Sequence, residues 1–242
     1  MKDKKISVII PLRNEAKNLL RFLDALHQQP IDEIIIVDGG SSDGSGTLLR
    51  AWAKTSNKYT RRITLNAPAG RASQMNAGAK EATGNILLFL HADTQLPPNG
   101  IALVLQILKN KNIFGGAFRL HIDSRHPFML WVTWLANLRS FYWALPYGDQ
   151  AIFVRRAIFE KLGGYPRLPL MEDVAFVRRL KDTGRMLLLK EAVTTSARRW
   201  QRQGYFLNSF KNMLILLFYF CGVPPQRLAT WYYAKKSIQQ SK

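Results

Sequence analysis

Solid apolar runs alternate with stretches of helical spacing along the first half of the chain, and no other feature restricts its fold as tightly. The runs are ISVII (6–10), EIIIV (33–37), RITL (62–65), NILLFL (85–90) and, less cleanly, FGGAFRLHI (114–122). Between them apolar residues recur three and four apart: Leu19, Phe22, Leu23 and Leu26, then Leu48, Leu49 and Trp52, then Met75, Ala79 and Ala82. Strands that are apolar on both faces need cover on both. The alternation therefore predicts an α/β fold, a mostly parallel sheet flanked by helices. Ligands of such sheets bind beyond the carboxyl ends of the strands. The segments leaving those ends are PLRNE (11–15), DGGSSDGS (38–45), NAPAGRASQMNAG (66–78) and HADT (91–94), all polar and unlike generic turns.

After residue 125 the character changes. A strongly aromatic stretch (127–147) precedes strand-like AIFVRR (151–156), helical patterns near 155–162 and 173–182, strand-like MLLLK (186–190) and a closing aromatic and basic helical region. With no repeat or low-complexity tract, the expected organisation is one catalytic-type domain over residues 1–203 and a helical C-terminal extension over 204–242. The single cysteine, Cys221, excludes an intrachain disulfide and reads as a small apolar residue in an apolar segment. The opening run 6–10 is too short for a signal peptide, and the longest apolar run, MLILLFYFCGV (213–223), falls short of the ~20 residues that span a bilayer. The expectation is a cytoplasmic protein without a transmembrane helix.

Several polar residues stand where chemistry would be done. Asp38 ends the second apolar run and can accept hydrogen bonds from a base or ribose, while Gly39 and Gly40 let backbone amides approach a ligand. Asp43 reads as part of an Asp-Gly turn at a helix start. Arg71, near a helix N-terminus, can meet phosphate oxygens, and Asn76 can hold either a backbone loop or a sugar hydroxyl. Asp93 closes a run of buried-strand character, where an acid must be solvated, paired or bound to metal. One carboxylate together with a substrate diphosphate suffices for Mg²⁺ or Mn²⁺. His91, two residues earlier, can ligate, hydrogen-bond or only pack. Glu172 and Asp173 open a helical pattern; acids there cap the helix, or Asp173 takes a proton from a hydroxyl while Glu172 orients it.

In this order, the opening strand with PLRNE, VDGGSSDGS, GRASQMNAGAKEATGNILLFLHADT, GDQAIFVRR and MEDVAFVRRL resemble the family 2 glycosyltransferases of the GT-A fold, across roughly residues 5–200. FLHADT, PYGDQ, PLMEDV and TSARRW further resemble a small bacterial branch encoded beside radical-SAM or selenium-related genes. The resemblance implies transfer of a sugar from a nucleoside-diphosphate sugar to an acceptor hydroxyl with inversion. It assigns donor binding to Pro11, Asn14, Glu15 and Asp38, a divalent cation to Asp93, and the catalytic base to Asp173. His91 occupies the family's first acidic metal position, one carboxylate fewer than usual. Arg199, in the segment Ser196-x-x-Arg199-Trp200, matches part of a diphosphate-contacting motif without supporting polymer synthesis.

Lysine and arginine exceed the acids by 19, with a surplus of 7 over residues 1–120 and 12 over 121–242. This charge suits an anionic membrane surface or a phosphorylated substrate. Nucleic acid is not an expected partner, because no nucleic-acid motif accompanies the charge. In residues 205–235 an apolar run is flanked by Trp231, Tyr232, Tyr233 and cations, the pattern of a helix lying in the bilayer interface, with a buried helix as the plain alternative. The segment 127–147 would add a second such surface or an acceptor pocket. The expected location is peripheral, on the inner face of the cell membrane, where the acceptor can be a lipid. The competing reading is a catalytically silent sugar-nucleotide-binding protein of the same fold. A nucleotidyltransferase would want a glycine-rich phosphate loop directly after the first strand, and PLRNE is not one.

Overall fold

The computed structural model describes residues 5–55 and 60–233; residues 234–242 of the expected extension lie outside the described residues. In chain order the elements are β1 (Ile6–Leu12), α1 (Ala16–His27), β2 (Glu33–Asp38), α2 (Ser45–Lys54), β3 (Arg61–Asn66), α3 (Arg71–Glu81), β4 (Ile86–Phe89), β5 (Thr94–Gln95) and α4 (Gly100–Ile107). They continue with β6 (Ile113–Asp123), α5 (Pro127–Trp143), a 3-10 turn (Gly148–Gln150), β7 (Phe153–Arg155), α6 (Arg156–Lys161) and α7 (Glu172–Thr183). The last are β8 (Arg185–Ser196), α8 (Arg198–Gln203), α9 (Tyr205–Phe220) and α10 (Pro225–Tyr233).

The strands form one sheet in the order β3-β2-β1-β4-β7-β6-β8-β5. β1 to β4 run parallel, as expected for strands joined through helices. β7 then enters antiparallel between β4 and β6, and β5 pairs antiparallel with β8, so the sheet is mixed beyond β4. β3 is an edge strand, which is why RITL is only half-buried and is flanked by exposed Arg61 and Asn66.

The central strands face two cores. Val8, Ile10, Ile34, Ile36 and Leu88 pack with Leu19, Phe22 and Leu23 of α1, Trp52 of α2 and Val104 of α4. The alternate residues Ile9, Ile35, Val37, Leu87 and Phe89 pack with Met75 and Ala79 of α3 and Phe176, Val177 and Leu180 of α7. Strand side chains alternate in direction, so solid apolar runs supply both layers. Gly78 permits the close approach of α3: a Cβ there would meet Ile9 Cγ2 at 2.5 Å.

At the amino ends of the strands, Glu33 is buried and held by Ser7 Oγ, by the Thr83 amide (2.9 Å) and hydroxyl (3.1 Å), and by Arg61. Burial opposes the charge of Glu33, but these donors outweigh it and lower its pKa.

The two aromatic segments do not behave as buried helices. On α9, Phe206, Phe210, Met213 and Leu217 recur at helical spacing and are all exposed; Leu130, Trp131, Trp134 and Phe141 are exposed on α5. The two helices meet through Phe128 and Phe206 (ring centroids 4.3 Å apart) and through His126 stacked on Tyr205 (4.2 Å). Cys221, just past α9, is exposed. No helix among the described residues is long and apolar enough to cross a membrane.

Candidate active site

The carboxyl ends of β1 and β2 lead into two loops that hold each other. Asp38 Oδ1 accepts hydrogen bonds from the Ser41 amide (2.9 Å) and hydroxyl (2.7 Å). Asn14, in the left-handed region at φ 56°, donates its amide to Ser41 Oγ (2.9 Å) and accepts the Ser42 amide on Oδ1 (2.8 Å). Asp43 accepts the Ala16 amide at the start of α1 (2.9 Å) and, on its other oxygen, the Ser45 hydroxyl (2.6 Å) at the start of α2. The Asp43 turn thus caps two helices at once, satisfying donors that a helix N-terminus otherwise leaves unpaired. Glu15, at the same end, pairs with Arg198 of α8 at 2.8 Å. Pro11 lies buried within β1 opposite Val37, not in the loop, and Gly40 (φ 79°) has open space on its Cβ side. Beneath these loops Gln74 Nε2 donates to the carbonyls of Leu12 (2.8 Å) and Val37 (2.7 Å).

Of the two roles read for Asn76, the hydrogen bonds are those of the first. Its amide donates to the Tyr165 carbonyl (2.8 Å) and accepts the Tyr165 amide (2.9 Å), pinning the loop before α7 to α3.

A second group of side chains converges beyond β4. Asp93 follows β4 directly, and its carbonyl accepts the Ser196 amide (3.0 Å) beside the β5–β8 pair. At the start of α7, Asp173 accepts the Val174 amide on Oδ1 (2.8 Å) and the Gly148 amide on Oδ2 (2.7 Å). Gly148 is wedged between two of these groups: a Cβ there would lie 2.9 Å from His91 Nε2 and 3.3 Å from Asp173 Oδ2. The structure therefore brings His91 and Asp173 to one point from chain positions 82 residues apart.

Arg71, the first residue of α3, ties the acids together. Its surroundings disfavour charge by desolvation, but Glu172, Asp173, Tyr233 and Asp93 more than compensate and raise its pKa; the side chain still reaches solvent on the open side of the cleft. His91 is held well below the usual imidazole range, first by burial and then by the charges of Arg71 and Arg199, so its ring is neutral. Burial and the neighbouring Asp173 push Glu172 up, against the pull of Arg71. Asp149, in the 3-10 turn, is pushed up to about 6 by burial, with Asp173 and Asp93 adding to the shift and Arg139 and Arg71 opposing it. Arg199 donates to the Tyr232 hydroxyl (3.1 Å), which brings α10 to the rim of the cleft.

Among the described residues no three His, Cys, Asp or Glu side chains form a complete metal cage. Among the described residues the Asp93 carboxylate receives only a long contact, from Thr94 Oγ1 (3.5 Å), and the neutral His91 stands two residues before it. These residues fit a hard cation shared with a ligand's phosphates and water, which needs only one or two protein carboxylates.

Sequence reasoning missed Asp149, Tyr233 and the Glu15–Arg198 pair as parts of this cleft. Asp149 stood within PYGDQ, a segment already singled out; the others depend on contacts that no local pattern encodes.

The family model described as Glycosyl transferase family 2 matches residues 7–163. Two similar curated proteins are both named undecaprenyl-phosphate 4-deoxy-4-formamido-L-arabinose transferase. The one from Yersinia enterocolitica is 34% identical over 126 residues, 50% of this chain and 38% of the relative. The one from Proteus mirabilis is 36% identical over 131 residues, 51% of this chain and 40% of the relative. The alignments thus span well under half the length of these relatives. The mannosyltransferase PcManGT from Pyrobaculum calidifontis, solved with GDP-Man and Mn²⁺, has a similar fold: TM-score 0.64, 20% identity, 88% of this chain and 65% of that one. TarS from S. aureus, solved with UDP, gives TM-score 0.63 at 18% identity over 79% of this chain and 60% of that one.

Proposed function

This chain belongs to glycosyl transferase family 2, and from that membership we propose that it moves a sugar from a nucleoside-diphosphate sugar to an acceptor hydroxyl, with inversion at the anomeric carbon. The single observation that carries the proposal is that Gly148 lies against both His91 Nε2 (2.9 Å from a Cβ there) and Asp173 Oδ2 (3.3 Å), so the segment that carries Asp93 and the helix start that carries Asp173 meet at the carboxyl ends of the strands. Transfer builds negative charge on the departing diphosphate while a proton must leave the acceptor. The two needs call for positive charge and a base a few ångströms apart.

The nucleotide would lie across the loops of Asn14, Asp38 and Gly40, which are already braced against one another. Arg71 and the N-terminus of α3, which has no side-chain cap, would meet the diphosphate, joined by Arg199, whose charge like that of Arg71 bears on His91. A Mg²⁺ or Mn²⁺ ion held by Asp93, with His91 beside it, would neutralise charge on the leaving group. Asp173, fixed by the Gly148 and Val174 amides, would accept the acceptor's proton in the transition state. Glu172 makes no hydrogen bond to Asp173 among the described residues and acts on it through charge alone.

The exposed aromatic faces of α5 and α9, together with the surplus of 19 positive charges, support a peripheral position on an anionic membrane, with a lipid-linked acceptor. The curated relatives are named for undecaprenyl phosphate. A phosphate acceptor is ionised already and needs no base; the placement of Asp173 favours a hydroxyl.

The test is donor binding followed by turnover. Thermal shifts with UDP-, GDP- and dTDP-sugars, with and without Mn²⁺, should reveal one stabilising donor. Asp173→Asn should then keep donor binding and lose about 10²- to 10⁴-fold in transfer rate. Donor binding by the wild type without any transfer or hydrolysis would favour a silent binding protein, and no response to any donor would end the proposal.

A further inference from the structure

One half-buried carboxyl group, that of Asp149, has no role in this mechanism. Asp149 follows Gly148, whose amide is bound to Asp173 (2.7 Å) on the acceptor side and on which a Cβ would lie 2.9 Å from His91 Nε2, two residues before Asp93, on the diphosphate side; the charges of Arg71, Asp173 and Asp93 also bear on its carboxyl group. In a single displacement the group between the departing diphosphate and the incoming acceptor is the sugar ring itself. We propose that Asp149 binds the transferred sugar, accepting hydrogen bonds from its ring hydroxyls, and so selects which donor is used. This inference rests on the glycosyl-transfer reading and names the sugar-recognising residue of that site.

The backbone around Asp149 is locked. Its neighbour Gln150 is fully buried and donates to the Phe118 carbonyl (2.9 Å), while Gln150 Oε1 accepts from Ser140 Oγ (2.8 Å) and the Tyr147 amide (3.1 Å). On the other side the Gly148 amide is bound to Asp173 (2.7 Å). Ala151 then turns through the left-handed region at φ 48°. So many contacts hold a residue in one place when its position matters more than its local comfort.

Comfort is what Asp149 lacks. Its Oδ1 is sealed from solvent with no hydrogen-bond partner among the described residues, a state that costs free energy and calls for an explanation. Arg139, the cation that most opposes the shift of Asp149, is stacked over the Tyr147 ring at 3.4 Å and is directed to the Leu145 carbonyl and Gln150, and it makes no ion pair with Asp149 among the described residues. Nor is Asp149 a third metal ligand, since no three candidate ligands converge among the described residues. The residue as a whole is only half-buried, so a ligand rich in hydroxyls can reach this carboxyl group and supply the donors that the crowding acids cannot. The upward shift of its pKa has the same origin.

The test separates the sugar from the nucleotide. Dissociation constants for UDP, GDP, UDP-glucose, UDP-N-acetylglucosamine and GDP-mannose are measured by calorimetry with Mn²⁺ for the wild type, Asp149→Ala and Asp149→Asn. The wild type should prefer one nucleotide sugar over its free diphosphate or over a rival sugar. Asp149→Ala should erase about tenfold or more of that preference, the scale of a lost hydrogen bond to a substrate hydroxyl, with affinity for the free diphosphate unchanged within about twofold. Asp149→Asn keeps the shape and removes a crowded charge, so it should fold at least as stably as the wild type, and it decides the matter if the alanine variant does not fold. An unchanged preference in both variants, or an equal loss for diphosphate and nucleotide sugar, overturns the assignment of Asp149 while leaving glycosyl transfer standing. A wild type that binds none of the five ligands overturns both.

Discussion

Gly148→Ala is the sharpest test of the cleft because it adds one carbon at the point where His91 and Asp173 meet. The glycine is not among those with positive φ, so alanine introduces no backbone strain and the effect is steric. The new Cβ would lie 2.9 Å from His91 Nε2, 3.1 Å from His91 Cε1 and 3.3 Å from Asp173 Oδ2. The imidazole must move, and so must either the carboxylate or the amide that binds it at 2.7 Å. Overpacking of this kind costs about 1–3 kcal/mol, which for a chain of this size lowers the melting temperature by roughly 2–10 °C. The catalytic loss should be larger in proportion. Displacing a base by about 1 Å can reduce a rate by roughly 10²-fold. The assay is donor turnover alongside free-nucleotide affinity, which should hold, because the loops of β1 and β2 are untouched. His91→Ala combined with Gly148→Ala removes the closest clash and should recover part of the lost stability, a coupling that a double-mutant cycle reads directly. A Gly148→Ala protein with wild-type turnover and an unchanged melting temperature would refute the packing of His91 against Asp173.

Three further outcomes are expected. Glu33 has a lowered pKa, so its contribution to stability is present above the ordinary carboxylate value and is lost as pH falls through the folded value; because Arg61 is half-exposed, Glu33→Gln should cost about 1–2 kcal/mol, from the weakened hydrogen bonds of Ser7 and Thr83, at neutral pH in urea unfolding and less near pH 3. Glu172 has the opposite shift, so its charge destabilises the fold increasingly as pH rises from the ordinary carboxylate range toward neutrality. Glu172→Gln should accordingly raise the melting temperature at pH 8 but not at pH 4. Phe210→Glu with Met213→Glu, both on the exposed face of α9, should reduce sedimentation with vesicles of mixed phosphatidylcholine and phosphatidylglycerol about tenfold or more, with the melting temperature unchanged; undiminished sedimentation would remove α9 from the membrane contact.

The first four strands and the helices between them were legible because each carries its own periodicity, and Leu19, Phe22, Met75 and Ala79 are buried as their spacing implies. The direction of β7 was not, since three residues, Phe153 to Arg155, pair equally well either way and only the path through the 3-10 turn decides. Apolar content told nothing of burial in α5 and α9, because the same residue types fill a core in α1 and stand exposed on these two helices. In the cleft, Asp93 and Asp173 stood out by their positions at the ends of recognisable elements. Asp149 and Tyr233 matter only through neighbours distant in sequence, and Glu15 meets Arg198 across 183 residues.

Parallel strands ordinarily stay a fixed distance apart because their backbones bond directly. The rungs of β1 and β2 run to Leu12 and Asp38, with the Gly39 amide on the Leu12 carbonyl (2.9 Å), and to them the side-chain amide of Gln74 adds a tie across the strand ends, donating to the Leu12 and Val37 carbonyls. A Cβ on Gly39 would strike it at 2.9 Å, so the tie is itself boxed in. Shortening Gln74 would therefore strip a donor from two carbonyls at the base of both loops while leaving every backbone rung in place.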